Sequence, residues 1–133
     1  MRKVFIIYSG GTIGSKNSKK GLVPRSNILT PQLKKRIRSM NIAYNIVEMN
    51  PLVDSSDMQQ KDWILMANMI ANVYAHYDAF IILHGTDTMA YTASSLSFLF
   101  EHLNKPVILT GSQLPLFKKN SDGEANIINS LKS

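Results

Sequence analysis

Two apolar runs, at residues 4–8 and 79–83, each break directly into a segment rich in glycine and hydroxyl groups. The first is followed by Ser9-Gly10-Gly11-Thr12-Ile13-Gly14 and the second by His84-Gly85-Thr86-Asp87-Thr88. Near-continuous apolarity marks an inner strand of a mostly parallel sheet, covered on both faces. A polar, glycine-containing segment at the carboxyl end of such a strand sits where open α/β sheets bind their ligands. The pair therefore predicts an α/β protein with Thr12 and Thr86 facing one crevice.

The rest of the chain alternates in the same sense. Residues 14–30 are polar and glycine-containing, and read as a long loop serving as a lid. Thr30-Pro31 reads as the N-cap and first residue of a helix ending near Arg38. Residues 42–49 form a modest strand stopped by Pro51, and the turn Asp54-Ser55-Ser56-Asp57 follows. A helix over residues 58–74 presents Trp63, Ala67, Ile70 and Tyr74 as one stripe, with Met66 and Val73 beside it. Ser56 or Asp57 is expected to cap it, with Gln59 completing a box.

A helix over residues 88–102 is expected to bury Met89, Ala93, Leu96, Phe100 and Leu103. Residues 106–110 make another strand, with Pro106 at its first position, where a missing N–H is tolerated. Gly111-Ser112-Gln113 is a further polar strand-end segment. Ser121-Asp122-Gly123-Glu124 has capping-box spacing and opens a last helix through Ala125, Ile128 and Leu131. The order is that of a three-layer α/β/α fold with a mostly parallel sheet.

Composition excludes several functions. The 133 residues include no cysteine, so disulfide, thiolate and cysteine–zinc chemistry are absent. His76, His84 and His102 match no common metal spacing, and His76 and His102 read as ordinary surface or packing residues. The chain carries a net charge of +6, but its basic residues are not interleaved with aromatics and accompany no nucleic-acid motif. They read as a solvated surface, so no nucleic-acid partner is expected. No run is long enough to cross a bilayer, and the opening residues read as a strand rather than a leader. With no cysteine and no leader, a cytoplasmic setting is expected.

Four strand-end segments rich in hydroxyls, amides or carboxylates favour a small polar ligand. The first lacks the Gly-x-Gly-x-x-Gly or Gly-Lys-Ser/Thr of nucleotide sites. Read from the residues alone, Thr12 is as compatible with a structural cap as with a nucleophile. A threonine hydroxyl needs a base or relay to become one. The residues point to acyl transfer, with Asp87 the carboxylate beside Thr86.

Four segments carry a family resemblance: Tyr8-Ser-Gly-Gly-Thr12-Ile-Gly14, Pro51-Leu-Val-Asp-Ser-Ser-Asp-Met58, Ile82-Leu-His-Gly-Thr-Asp-Thr-Met-Ala-Tyr-Thr-Ala93 and Val107-Ile-Leu-Thr-Gly-Ser-Gln-Leu-Pro115. Together they resemble the bacterial L-asparaginases, in particular the cytoplasmic type I branch. The resemblance implies a flavodoxin-like sheet and hydrolysis of L-asparagine to L-aspartate and ammonia, with no cofactor and no metal. By the same resemblance Thr12 is the nucleophile, Thr86 and Asp87 are catalytic and contact substrate, and Gly11, Asp54, Ser55 and Ser56 bind substrate. It further implies a homodimer or homotetramer without membrane or nucleic-acid partners. Residues 1–133 then correspond to a partial N-terminal catalytic domain, with the C-terminal domain and a relay lysine expected to be missing. The family's Gly-Tyr-x-Pro context reads Gly21-Leu22-Val23-Pro24 here, without the tyrosine hydroxyl. Negligible asparaginase activity by the chain alone is the expectation. The alternatives are a relative acting on glutamine or a tRNA-linked amide, and a nonenzymatic small-amino-acid-binding remnant.

Overall fold

A computed structural model describes residues 1–133. Strand β1 (Arg2–Tyr8) lies at the centre of the sheet, and β5 (Ala79–Leu83) beside it is buried along its whole length. With β4 (Ile42–Glu48) and β6 (Val107–Thr110) they form a four-stranded sheet in the order β4-β1-β5-β6. Every pairing in it is parallel. All four strands therefore deliver their carboxyl ends to one edge.

Alternation along the two inner strands sorts the core into two layers. Val4, Ile6 and Tyr8 of β1 and Ala79, Ile81 and Leu83 of β5 pack with Leu29, Leu33 and Ile37 of α1 (Leu29–Ile37) and Ile127 and Leu131 of α4 (Gly123–Lys132). The intervening Phe5, Ile7, Phe80 and Ile82 face Met66 and Ile70 of α2 (Gln60–Val73) and Leu96 of α3 (Met89–Leu99). Burying each such side chain is worth roughly 1.5–3 kcal/mol. Strands read as doubly covered from their apolarity are doubly covered in fact, and the three-layer, flavodoxin-like architecture stands.

Local differences from the sequence reading have specific causes. The expected loop at residues 14–30 is in large part a hairpin, β2 (Ser15–Ser18) paired antiparallel with β3 (Gly21–Pro24). Its turn is held by Ser18, whose hydroxyl donates to the Gly21 carbonyl at 2.8 Å and accepts the Lys20 N–H at 3.1 Å. Gly21 has φ 94°, which glycine adopts without strain.

Helix α1 starts before Thr30, because Leu29 must join Leu33 and Ile37 in the core. Thr30 is not its cap; its hydroxyl donates to Glu48 Oε1 at 3.2 Å. Helix α2 is capped by Gln59 and Asp62 in a reciprocal box. Ser56, expected to cap it, turns its hydroxyl to Asp54 Oδ1 at 3.1 Å instead.

Helix α3 ends at Leu99 and buries Thr92 and Leu96, leaving Ala93 and Leu103 exposed. Hydrogen bonds offset the burial of the Thr92 hydroxyl, which an apolar pattern cannot register. Helix α4 buries Ile127 and Leu131, while Ala125 is exposed and Ile128 half-buried. Ser121 caps the Gly123 N–H at 3.0 Å, whereas Glu124 lies near Arg36 rather than completing a box. That ion pair, Arg36 Nε to Glu124 Oε2, spans 3.4 Å without hydrogen-bond geometry.

Candidate active site

Where β1 ends, the chain turns through Gly10 and Gly11 at φ 138° and 101° into a single 3-10 turn, Thr12–Gly14. These are backbone angles that side chains other than glycine's rarely adopt. A Cβ on Gly11 would lie 2.6 Å from the Gly85 Cα, and one on Gly85 would lie 2.6 Å from the Ser55 side chain. The loops after β1 and β5 thus meet backbone to backbone, and the Ser55 side chain of the turn beyond β4 packs against Gly85, where no side chain is tolerated.

Hydrogen bonds fix this meeting. Ser9 donates through both its N–H (3.0 Å) and its hydroxyl (3.1 Å) to the Leu83 carbonyl, joining the ends of β1 and β5. The Val53 N–H donates to the Ser9 carbonyl at 2.8 Å and brings in the Asp54 turn. Thr88 closes the set, its hydroxyl donating to the Ser55 carbonyl at 2.5 Å. Within the first loop, the Gly11 carbonyl accepts from the Tyr8 and Ser15 hydroxyls, each at 3.0 Å. Burial, reinforced by the nearby Glu48 carboxylate, pushes the Tyr8 hydroxyl well above its usual pKa. Tyr8 is therefore a neutral strut under the loop.

The result is a cleft of about 110 Å³, below the roughly 300–1,000 Å³ of drug-sized sites. Gly11 and Thr12 line it from the first loop, Asp54 and Ser55 from the second, and Gly85, Thr86 and Asp87 from the third. Six of the sequence-derived site residues, Gly11, Thr12, Asp54, Ser55, Thr86 and Asp87, are brought together. Ser56 is not among the lining residues; its N–H and hydroxyl are both bound to Asp54 Oδ1. The fourth polar segment does not line the cleft, but Gln113 Nε2 donates to Thr86 Oγ1 at 3.4 Å.

Ser15, Leu22 and Pro24 complete the wall from the β2–β3 hairpin. The sequence reading did not single out Ser15 as a site residue; its position four residues after Gly11 in the same polar segment was the available signal. Leu22 is the one hydrophobic side chain in the lining, and no lysine, arginine or histidine is present there. Asp87 lies just before the N-terminus of α3, where the helix dipole favours negative charge.

Chemically, the cleft offers a hydroxyl of ordinary type at Thr12, a second at Thr86, and two carboxylates suited to an ammonium group. These groups stand together at the strand ends of a parallel α/β sheet. Residues 3–133 match the family described as "Asparaginase, N-terminal", and the chain belongs to that family.

The chain is 49% identical to L-asparaginase 1 of Escherichia coli K12, over 98% of this chain and 39% of that protein. Its fold matches the crystal structure of L-asparaginase I from Vibrio cholerae with a TM-score of 0.90 at 49% identity, covering 98% of this chain and 40% of that one. The thermostable L-asparaginase from Thermococcus kodakarensis matches with a TM-score of 0.82 at 32% identity, over 97% of this chain and 39% of that one. The chain thus spans about two fifths of the length of these relatives.

Proposed function

We propose that residues 1–133 are part of the N-terminal catalytic domain of an L-asparagine amidohydrolase, and that the cleft holds the substrate. One observation carries this reading: Thr12, the Asp54-Ser55 turn and Thr86-Asp87 share one small cleft. Thr12 Oγ attacks the side-chain amide carbon of L-asparagine. A C–O bond forms, the C–N bond breaks, and the nitrogen departs with the hydroxyl proton as ammonia. Water then cleaves the ester, releasing L-aspartate and returning a hydrogen to Thr12 Oγ.

In this reading Asp87 receives the substrate's α-ammonium group, and Ser55 serves its α-carboxylate end. Gly11 and Asp54 complete the binding wall, and Thr86 joins Asp87 in a proton relay. Action in the cytoplasm is supported by the likeness to the probable cytoplasmic L-asparaginase of Campylobacter jejuni. A homodimer or homotetramer is the assembly proposed for the whole protein.

A threonine hydroxyl is a weak nucleophile without a base, and the cleft is lined by no lysine or histidine. Leu22 offers no hydroxyl to help. Loss of one relay group costs on the order of 10²-fold in rate or more. The 133-residue chain alone is therefore expected to bind L-aspartate but to release negligible ammonia from L-asparagine. An ammonia-release assay on the pure chain, with an L-glutamine arm, tests this. Turnover of roughly 1–10³ per second would contradict the missing-base argument, and faster release from glutamine would overturn the substrate assignment.

A further inference from the structure

His84 ends the strand that delivers Thr86 and Asp87, and it is wholly inaccessible to solvent. Its hydrogen bonds and its burial together select one arrangement. Nδ1 lies 2.6 Å from the Gly85 carbonyl, which can only accept, so Nδ1 carries a proton. Nε2 lies 2.8 Å from Thr92 Oγ1. Burial favours the neutral ring, so with Nδ1 protonated Nε2 is bare and accepts the Thr92 hydroxyl hydrogen, while the Thr92 oxygen accepts the indole N–H of Trp63 at 2.9 Å. Trp63 therefore donates to Thr92, Thr92 to His84, and His84 to Gly85. Every polar hydrogen in this buried chain is directed.

The last of these bonds bears on the cleft. In a planar trans peptide the carbonyl and the following N–H point in opposite directions. Drawing the Gly85 carbonyl inward to the His84 ring turns the Thr86 N–H outward. Gly85 and Thr86 both line the cleft, and the Thr86 N–H has no acceptor within the protein. We propose that His84 is a positioning residue that, backed by Thr92 and Trp63, locks the Gly85–Thr86 peptide so that the Thr86 N–H is aimed into the cleft. There it is a fixed donor for an oxygen of the ligand, of the kind that stabilises developing negative charge without reorganisation. Burial favours the neutral ring that this arrangement requires. The value of the donor for catalysis rests on the substrate reading above; the positioning itself does not.

NMR on the full 15N-labelled chain tests both parts. The expected result is a neutral His84 with a protonated Nδ1 and a bare Nε2. A protonated Nε2, or a charged ring at neutral pH, would overturn the proposal. Thr92→Val removes the hydroxyl and keeps the shape. It is expected to shift the Thr86 amide resonance, to alter the emission of the single tryptophan, Trp63, and to weaken L-aspartate binding about tenfold. Thr92→Ser is expected to restore all three, which a role in packing alone would not produce. A folded Thr92→Val chain with an unmoved Thr86 amide would sink the inference. If the parent chain fails to bind L-aspartate, the substrate reading fails, while the tautomer and the Thr86 resonance still decide the positioning role.

Discussion

A single methyl group on Gly11 would strike the Gly85 backbone at 2.6 Å, from a residue whose φ of 101° already disfavours a side chain. The backbone strain alone is worth on the order of 1–3 kcal/mol, and separating the loops adds to it. Gly11→Ala is expected to lose at least about 2 kcal/mol in a urea titration and to lose L-aspartate binding with it. A loss under about 0.5 kcal/mol, the size of an ordinary surface change, would show that the loops do not depend on this approach. Thr12 predicts the opposite separation. It lines the cleft and makes none of the bonds that tie the loops. Thr12→Ala should keep L-aspartate affinity in calorimetry within a few-fold while eliminating whatever ammonia release the parent shows. Loss of binding would reassign Thr12 from nucleophile to structural support.

Among the elements, the segment between β6 and α4 offers a pH test. The Asp122 carboxylate accepts the Gln113 N–H at 3.1 and 3.0 Å and the Leu114 N–H at 3.1 Å. Burial alone would raise its pKa, but these amides hold it below the ordinary 3.8. A carboxyl group whose folded pKa is depressed stabilises the fold above its unfolded value, and that contribution is lost as pH falls through the folded value. Asp122→Asn should therefore flatten the decline in stability below about pH 4, read as urea midpoints across pH. An unchanged acid limb would remove Asp122 as the anchor.

What the sequence reveals at this scale depends on how each element is stabilised. Strands β1 and β5 are legible because their stability comes from continuous apolar burial. The β2–β3 hairpin is hidden because Ser15, Lys16, Asn17 and Ser18 carry no alternating pattern; a turn and backbone pairing define it. The buried face of α3 is misread because Thr92 enters the core through hydrogen bonds, not hydrophobicity. In the cleft, glycines and hydroxyls next to strand ends announce themselves. The His84–Thr92–Trp63 chain depends on contacts between residues far apart in sequence, which no local pattern contains.

At the scale of the whole molecule, the parallel sheet gathers the chemistry at one edge and leaves an apolar surface elsewhere. On α3, Phe98 is 88% and Tyr91 69% exposed, and Ile64 and Leu65 of α2 are more than 40% exposed. Strands β4 and β6 each have one partner and present open edges, which favour self-association. Phe98→Ser is expected to leave stability within about 0.5 kcal/mol and to reduce concentration-dependent association in sedimentation velocity. A large loss of stability would mean that Phe98 packs more than its exposure indicates.

In the proposed site, three loops brought together through Gly11, Gly85 and Ser55 hold one small amino acid. A titration of the 15N-labelled chain with L-aspartate, followed by two-dimensional amide NMR, addresses it most directly. Saturable shifts are expected to concentrate at Gly11, Thr12, Ser55, Thr86 and Asp87. Absence of saturable shifts, or shifts clustered away from the strand carboxyl ends, would contradict it.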